Sequence, residues 1–270
     1  MRAIILGQGY VGKAMSDLLD SNARSGALYV YDPLNHSKKV KKLLRSKEYD
    51  LAIICVPTKQ NKDGSCDISI VRKSIREFNA KRYLIKSTVE PGTTEKLAKK
   101  YKKRIVFSPE YVGESKYFNP LFPDKMIETP FFIFGGEKED TSWMVDFFLP
   151  ILGPTKEYLQ MSSKEAEIVK YMENSFFATK ITFSQEMYDL CIKVGADWNS
   201  VREGWLADPR VGRMHTAVFP ENRGFSGKCL PKDTSALRHY MKKNKCDYTL
   251  MDAVIKKNKR LLKLNKRKPC

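Results

Sequence analysis

A glycine-rich turn between an apolar run and an amphipathic run constrains the fold of this chain more than any other feature. The turn reads GQGYVG from Gly7 to Gly12. The apolar run at residues 2–6 before it predicts a β-strand, and the run at residues 11–19 after it predicts a helix. Glycines with this spacing permit a tight bend, a close approach of the backbone to a pyrophosphate, and close helix packing. The turn therefore predicts a Rossmann-like start to the chain.

An acidic residue follows the second β-rich run. That run ends VYD, which places Asp32 about 20 residues after Gly12. A carboxylate at this distance binds the ribose hydroxyls of a dinucleotide and repels a 2′-phosphate. The pattern predicts NAD as the cofactor in preference to NADP.

The first half of the chain alternates β-rich runs with amphipathic runs. The β-rich runs lie at residues 2–6, 27–31, 51–56, 83–86, 105–107 and 131–134. Such alternation predicts an α/β fold, a parallel doubly wound sheet with helices on both faces. After Pro154 the pattern becomes helical. We therefore predict an NAD-binding Rossmann domain over residues 1–155 and an all-helical dimerisation domain over residues 156–270, which carries Cys229.

One long helix is predicted after the change of pattern. About thirty residues from Ser162 contain no proline and no internal glycine. Ser162 and Glu165 match a capping box, and Gly195 is placed to end the helix. A loop-rich segment at 198–232 and helices at 234–243 and 249–266 are predicted to follow.

The apolar residues of the long helix exceed what one small helical layer can bury. They are Ile168, Tyr171, Met172, Phe176, Ile181 and Phe183. An exposed apolar surface of this kind marks an interface, so we predict a homodimer built on this helix.

Polar residues follow two further strands and lie on the long helix. The motif KSTVEPGTT places Thr88 at the carboxyl end of a strand, where open α/β sheets bind ligands, and SPEYVGES places Glu110 and Glu114 after another. For these carboxylates a solvated loop is an equally good interpretation. Lys170 and Asn174 are i and i+4 neighbours that can converge on one oxygen, although such pairs are also common on helix surfaces.

Cys229 lies in the segment GFSGKCLPKD. Glycines, a proline and charged residues around a thiol are typical of an exposed, reactive cysteine rather than a core cysteine. The other five cysteines have no metal-ligand spacing and are interpreted as plain reduced thiols, so no metal is predicted. The chain also has no apolar run long enough for a membrane helix and no signal peptide, and we expect it to be cytoplasmic.

The formal charge of +18 is concentrated near the end of the chain. Residues 241–270 hold 11 Lys or Arg and 2 Asp, a net +9, which is half of the total. Such a tail can attract nucleic acid or an anionic substrate. No aromatic residues alternate with the lysines and no nucleic-acid motif is present, so a solvated helical face is favoured over a nucleic-acid partner.

Together these motifs resemble the UDP-glucose/GDP-mannose dehydrogenase family. They occur in the family's order: GQGYVG, VPT, DGSCD, KSTVEPGTT, SPEYVGES, the long helix, DPRVG and GFSGKCLPKDTSAL. The resemblance covers nearly the whole chain. It implies an NAD-dependent nucleotide-sugar 6-dehydrogenase, with UDP-glucose as the first candidate substrate.

The resemblance also implies a mechanism. Cys229 corresponds to the nucleophile of a double oxidation, in which a sugar alcohol becomes an aldehyde, a thiohemiacetal, a thioester and finally a carboxylate. Lys170 and Asn174 correspond to the pair that steadies the oxyanion. Proton transfer and water positioning are implied for Asp233, Glu110 and Thr88.

Binding residues carry over in the same way. The implied cofactor contacts are Gly7, Gly9, Tyr10, Val11, Gly12, Asp32, Pro57, Thr58, Thr88, Glu114 and Lys232. The implied substrate contacts are Glu110, Lys170, Asn174, Arg210, Gly224 and Phe225, with Arg210 reaching the substrate across a dimer interface. Lys232 would also favour the thiolate of Cys229.

The chain departs from the family at three places. Ser226 replaces a usual glycine, Gly113 replaces a common basic residue, and the sequence given ends at Cys270, where members of the family continue through a nucleotide-binding domain. We therefore expect a short form with a weakened hold on the nucleotide.

Two other functions stay open. A two-electron hydroxy-acid dehydrogenase shares the Rossmann domain, the helical domain and a lysine with an i+4 asparagine, but it needs no cysteine. A non-catalytic NAD-binding scaffold would retain the motifs without turnover.

Overall fold

A computed structural model describes residues 1–20, 26–112 and 125–265. Its strands are β1 (Arg2–Leu6), β2 (Ala27–Tyr31), β3 (Glu48–Ile54), β4 (Asn79–Ile85), β5 (Arg104–Phe107), β6 (Phe131–Gly135) and β7 (Glu157–Met161). Its helices are α1 (Tyr10–Asp20), α2 (Lys38–Arg45), α3 (Ser69–Glu77), α4 (Thr93–Tyr101), α5 (Lys138–Leu152), α6 (Ser163–Val194), α7 (Trp198–Leu206), α8 (Leu230–Lys243) and α9 (Thr249–Asn265), with a short 3-10 helix at Met126–Glu128.

The strands form one sheet in the order β2-β1-β3-β4-β5-β6-β7. Neighbouring strands are parallel except β5 and β6, which pair in antiparallel fashion through Phe107 and Gly135. Side chains alternate between the two faces of a strand, so Ile4 enters one hydrophobic core while Ile5 enters the other. Burial on both faces explains why the strands are nearly continuous apolar runs. The predicted α/β doubly wound fold is confirmed.

The described chain divides into two compact units. Unit 1 comprises Met1–Lys59 and Cys66–Lys170, and unit 2 comprises Gln60–Ser65 and Tyr171–Cys270. Unit 1 extends beyond residue 155 because β7, which the sequence pattern did not predict, pairs in parallel with β6. The domain boundary near residue 155 itself stays a prediction.

Capping residues set the bounds of α6. The amide of Ser162 donates to the Glu165 carboxylate at 2.8 Å, and the amide of Glu165 donates to the Ser162 hydroxyl at 3.3 Å, which is the predicted capping box. At the other end Gly195 adopts a positive φ of 72°, and the amide of Ala196 donates to the Cys191 carbonyl. The predicted long helix is confirmed.

The segment predicted as loop-rich contains α7, which corrects the prediction. Asp197 caps this helix by accepting a hydrogen bond from the amide of Ser200 at 2.7 Å, and Trp198 is buried. The next helix, α8, begins at Leu230 rather than at Thr234, because Pro231 is compatible with a first helical turn.

The predicted interface residues of α6 divide between two environments. Tyr171 is fully buried and Ile181 packs against a small core of unit 2, whereas Met172, Phe176 and Phe183 are exposed. Within the described residues, no helix combines the length and apolarity required to cross a membrane. The same residues contain no group of three His, Cys, Asp or Glu side chains arranged to hold a metal ion.

Candidate active site

The glycine turn of unit 1 is shaped by close backbone contacts. Gly7 has a φ of 101°, and a Cβ added to it would lie 2.5 Å from the Cys55 carbonyl oxygen. A Cβ at Gly12 would lie 2.0 Å from the Gly7 carbonyl oxygen, whereas one at Gly9 would meet no atom within 4 Å. Both closely packed positions therefore require glycine, and the open space at Gly9 fits a pyrophosphate against the N-terminus of α1.

Other predicted cofactor residues lie around this turn. Tyr10 begins α1 and is partly exposed, and Val11 packs against a hydrophobic core. The amide of Gly7 donates to the Tyr31 carbonyl at 2.9 Å, which connects the turn to the end of β2. Asp32 is the next residue in the chain, directly after the strand end that this bond connects to the turn.

Asp32 is held in place by its own loop. Its carboxylate accepts hydrogen bonds from the amide of Leu34 at 2.8 Å and from Asn35 Nδ2 at 2.5 Å. The side chain is therefore fixed at the carboxyl end of β2, where a ribose lies in a doubly wound sheet. The residues of the turn and of this loop fit an NAD molecule.

The ends of β3 and β4 meet through Thr58 and Thr88. Thr58 Oγ1 donates to the Thr88 carbonyl at 2.8 Å, and the Cys66 thiol donates to the same oxygen at 3.5 Å. Thr58 is buried, while Pro57 is exposed. Two predicted cofactor residues are thus brought together at the carboxyl edge of the sheet.

Glu110 lies in a buried charged cluster that the sequence analysis missed. Glu110 Oε2 lies 3.2 Å from Lys86 Nζ, and the side chains are 10% and 3% exposed. The thiol of Cys55 is close by, and burial raises the pKa of Cys55 to about 12. Lys86 belongs to the motif KSTVEPGTT, and its place directly after a central apolar strand was the available signal.

Lys170 lies near the end of unit 1. Its Nζ stands 4.9 Å from the ring centroid of Tyr111, a cation–π distance. Glu110 precedes Tyr111 in the loop after β5, and Lys170 contacts this loop from α6. Glu114 lies outside the described residues.

Cys229 is exposed and occupies the N-cap position of α8. The amide of Asp233 donates to the Cys229 carbonyl at 2.9 Å, which is the first turn of that helix. The predicted loop before the thiol therefore ends with Cys229 at the positive end of a helix dipole.

Asp233 forms hydrogen bonds with two of the predicted site residues, and all three belong to unit 2. Its carboxylate is 1% exposed and accepts a hydrogen bond from Asn174 Nδ2 at 2.5 Å. Lys232 Nζ donates to the other carboxylate oxygen. Lys232, predicted to contact the cofactor and to favour the thiolate of Cys229, is thus placed in an ion pair with Asp233.

The loop before Cys229 is attached to α9 by a buried amide, which sequence reasoning also missed. Asn258 Oδ1 accepts from the amide of Phe225 at 2.8 Å, and Asn258 Nδ2 donates to the Phe225 carbonyl at 2.9 Å. Gly224 has a φ of 81°, and a Cβ there would lie 2.5 Å from Asn258 Oδ1. Asn258 therefore fixes the backbone of Phe225, and its side chain leaves room only for glycine at residue 224.

Arg210 lies in a loop that is attached to α6. Lys180 Nζ donates to the carbonyls of Val211 and Gly212 at 2.7 and 2.6 Å, and burial lowers the pKa of Lys180. The guanidinium of Arg210 is 89% exposed and forms a bidentate ion pair with Asp208. Arg210 therefore lies on an exposed loop of unit 2.

Comparisons with known proteins match both halves of the chain. Residues 29–146 match the NAD binding domain of the UDP-glucose/GDP-mannose dehydrogenase family, and residues 164–260 match its central domain. A UDP-glucose 6-dehydrogenase of Rickettsia prowazekii is 30% identical over 224 residues, which are 79% of this chain and 50% of that protein. The chain spans about half the length of the curated relatives it matches.

Solved structures share the fold. A UDP-D-ManNAc dehydrogenase from Pyrococcus horikoshii has a TM-score of 0.76 at 24% identity, covering 97% of this chain and 69% of its own. A 3-hydroxyisobutyrate dehydrogenase from Mycobacterium tuberculosis has a TM-score of 0.69 at 15% identity, covering 94% of this chain and 91% of its own. At these identities the likeness concerns the fold alone.

Proposed function

The chain belongs to the UDP-glucose/GDP-mannose dehydrogenase family, and we propose that it is an NAD-dependent nucleotide-sugar 6-dehydrogenase with UDP-glucose as the first candidate substrate. The observation that carries the proposal is the exposed thiol of Cys229 at the N-terminus of α8, one turn before the buried pair of Asp233 and Asn174. A hydroxy-acid dehydrogenase has no use for this thiol.

Cys229 acts as the nucleophile in the proposed reaction. Oxidation of the C6 alcohol leaves an aldehyde, and Sγ adds to its carbon to form a thiohemiacetal. Loss of a second hydride from that carbon leaves a thioester, and water hydrolyses it to the carboxylate and the free thiol. NAD, when bound, supplies the acceptor for each hydride, so one substrate consumes two NAD and one water.

Asn174 and Lys170 stabilise the developing oxyanion in this proposal. An amide nitrogen has two N–H groups, and Asn174 uses one of them on Asp233. Asp233 thereby sets the orientation of the amide, and the second N–H points to the substrate oxygen. Lys170, one helical turn earlier on α6, adds a positive charge to the same oxygen.

Proton transfer and substrate binding are assigned to the remaining predicted residues. Glu110 serves as the base and Thr88 positions the water, while Arg210 reaches the substrate of a second copy of the chain. Gly224 and Phe225 contribute backbone groups next to the thiol. The residues proposed to hold NAD are Gly7, Gly9, Tyr10, Val11, Gly12, Asp32, Pro57, Thr58, Thr88, Glu114 and Lys232.

A homodimer and a cytoplasmic location belong to the same proposal. The exposed apolar residues of α6 support the dimer. Reduced thiols at Cys55, Cys191 and Cys246 suit a reducing compartment.

The proposal is tested by the stoichiometry of NADH. Purified chain is incubated with NAD and each of a set of UDP-sugars and GDP-sugars, and NADH absorbance is compared with sugar consumed. We expect two NADH per sugar, and no carboxylate product from Cys229→Ser, because serine forms no comparable thioester.

Cys246→Ser is the matched control, since the thiol of Cys246 is also exposed. We expect it to retain full activity. One NADH per turnover with an active Cys229→Ser variant would favour a two-electron dehydrogenase. No NADH with any nucleotide sugar would favour the scaffold.

A further inference from the structure

Lys86 is a lysine buried at the carboxyl end of the central strand β4. It is 5% exposed, and its Nζ donates to Ser108 Oγ at 3.2 Å and to the Pro109 carbonyl at 3.0 Å. Burying an ammonium group is costly unless hydrogen bonds and an anion compensate the lost hydration. The two hydrogen bonds fix the ammonium in place but supply no negative charge.

Glu110 supplies that charge. Its Oε1 accepts hydrogen bonds from the amides of Tyr111 and Val112, both at 2.8 Å. Its Oε2 lies 3.2 Å from Lys86 Nζ, yet it is buried and has no hydrogen-bond partner within the part of the chain that the structure describes. One oxygen is therefore committed to the backbone, while the other keeps an acceptor position open beside a fixed cation.

The nearby thiol does not compete for the ammonium. Burial raises the pKa of Cys55 to about 12, so this side chain is neutral at physiological pH. Among the described residues the ion pair of Lys86 is the one with Glu110.

We propose that Lys86 is a positioning residue that holds the Glu110 carboxylate through its charge and aims Oε2 at the hydroxyl or water from which a proton is taken. The inference rests on the proposed function, because it assigns Glu110 the role of base. Lys86 acts only through Glu110, since its hydrogen bonds go to Ser108 and Pro109 and its charge lies beside the Glu110 carboxylate.

A double-mutant cycle tests this dependence. Lys86→Met removes the charge but keeps the length of the side chain, Glu110→Gln removes the base, and a third protein carries both changes. We expect Lys86→Met to lower kcat by roughly a hundredfold, with a smaller change in the KM for NAD. The double variant should be no slower than the slower single variant.

Lys81→Met is the matched control, because Lys81 lies on the same strand with its side chain 74% exposed. We expect it to leave kcat unchanged. Losses that multiply in the double variant, or a Lys86→Met protein with normal kcat, would overturn the proposal.

Infrared spectroscopy gives a second readout that needs no turnover. Without the ammonium of Lys86 a buried carboxyl favours its neutral form, so we expect Lys86→Met to gain carbonyl absorption of a protonated carboxylic acid relative to the wild type, and the double variant to lose this gain. A folded Lys86→Met protein whose carbonyl absorption equals that of the wild type would refute the inference. A chain with no dehydrogenase activity still gives this result, so failure of the proposed function is distinguished from failure of the inference.

A second variant covers the case in which Lys86→Met does not fold. Lys86→Ala leaves a space that a small additive can fill. Ethylammonium carries a positive charge into this space, whereas ethanol is neutral. We expect ethylammonium to restore kcat and ethanol to leave it low. Equal effects of the two additives would show that Lys86 acts by packing alone and would contradict the proposal.

Discussion

Glu167 has no exposed surface although it carries a carboxylate. Its two oxygens accept hydrogen bonds from the amides of Gly92 at 2.5 Å and Thr94 at 2.8 Å, at the N-terminus of α4. Amides at a helix N-terminus have no partner within the helix, and the helix dipole favours an anion there. Glu167 lies one turn before Lys170 on α6, so it attaches the loop after Thr88 to the helix that carries Lys170.

Burial raises the pKa of Glu167 from 4.5 to about 7, against the opposing effect of the hydrogen bonds from Thr94 and Gly92. The folded state therefore prefers the protonated form. The stability that this preference contributes is fully present below pH 4.5 and is lost as pH rises through about 7. Relative to Glu167→Gln, we expect the wild-type free energy of unfolding to fall by about 3 kcal/mol across this window.

Urea unfolding of both proteins at a series of pH values measures that difference. A difference that is constant with pH, or that grows as pH rises, would show that the carboxylate is not destabilised by burial.

At the scale of the element, α6 is the scaffold of unit 2. Asn174 bonds to Asp233 beside the thiol, and Lys180 bonds to the loop at Val211 and Gly212. Further along, Gln185 accepts a hydrogen bond from Arg223 Nε just before the Cys229 loop. One helix therefore holds each of these loops, which explains why it is long and interrupted by neither proline nor glycine.

The outer face of α6 carries a stripe of exposed apolar side chains. Met172, Phe176, Phe183 and Leu190 are 68%, 59%, 47% and 53% exposed. Their spacings of four and seven residues place them on one side of the helix. We predict that Met172→Glu together with Phe176→Glu converts a dimer into a monomer, because charges at the centre of an apolar interface lose their hydration.

Light scattering at micromolar concentration measures the change. Leu250→Glu is the control, since Leu250 is equally exposed at 61% but lies on α9. A monomeric wild type, or a double variant that stays dimeric, would refute the interface.

The attachment of the Cys229 loop to α9 gives a second prediction at this scale. Asn258 is 5% exposed and makes two hydrogen bonds to the backbone of Phe225. Asn258→Leu keeps the size but removes both bonds and leaves a buried amide and carbonyl unpaired, at a cost of about 2 to 4 kcal/mol in the free energy of unfolding. We also expect kcat to fall more than the KM for NAD changes, because the loop positions the thiol.

Urea unfolding and steady-state kinetics check both effects. Asn199→Leu makes the same change at an exposed position of α7 and should leave stability and kcat close to wild type. An Asn258→Leu protein as stable as the wild type would contradict the role of this amide.

At the scale of the whole molecule, the net charge is +18, and part of the excess of lysine and arginine lies on α9. Lys256, Lys259, Arg260 and Lys263 line one open groove. Lys257 differs, because it forms ion pairs with Glu186 at 3.3 Å and Asp189 at 3.8 Å. The groove is therefore the part of this basic helix whose charge faces solvent.

We predict that the KM for a nucleotide sugar rises with salt and that changing Lys256, Lys259 and Lys263 together to Gln weakens this dependence. Attraction between exposed charges fades because the Debye length falls from about 10 Å at 0.1 M to about 3 Å at 1 M. Titrations of substrate at several salt concentrations, with both proteins, measure the slopes. A KM that is tight and independent of salt would show that a conventional pocket holds the nucleotide.

The sequence by itself determined the elements whose signals lie within a few residues of one another. The GQGYVG turn, the capping box at Ser162 and Glu165, and the glycine at residue 195 each predict a boundary from neighbouring side chains. The apolar runs of the central strands likewise predicted a sheet buried on both faces. The sequence pattern did not predict β7 or α7. A short, half-buried strand and a short helix capped by one aspartate have sequences that resemble ordinary loops.

Only the tertiary structure decided which distant residues meet. Lys86 with Glu110, Glu167 with Gly92, and Asn258 with Phe225 are separated by many residues, and the local sequence of each residue does not show which distant residue it meets. Each became a buried polar contact because packing removed water from it, and a buried polar group requires a partner wherever the fold supplies one. Local chemistry therefore identifies the thiol and the glycine turn, whereas packing selects the groups that orient the residues around them.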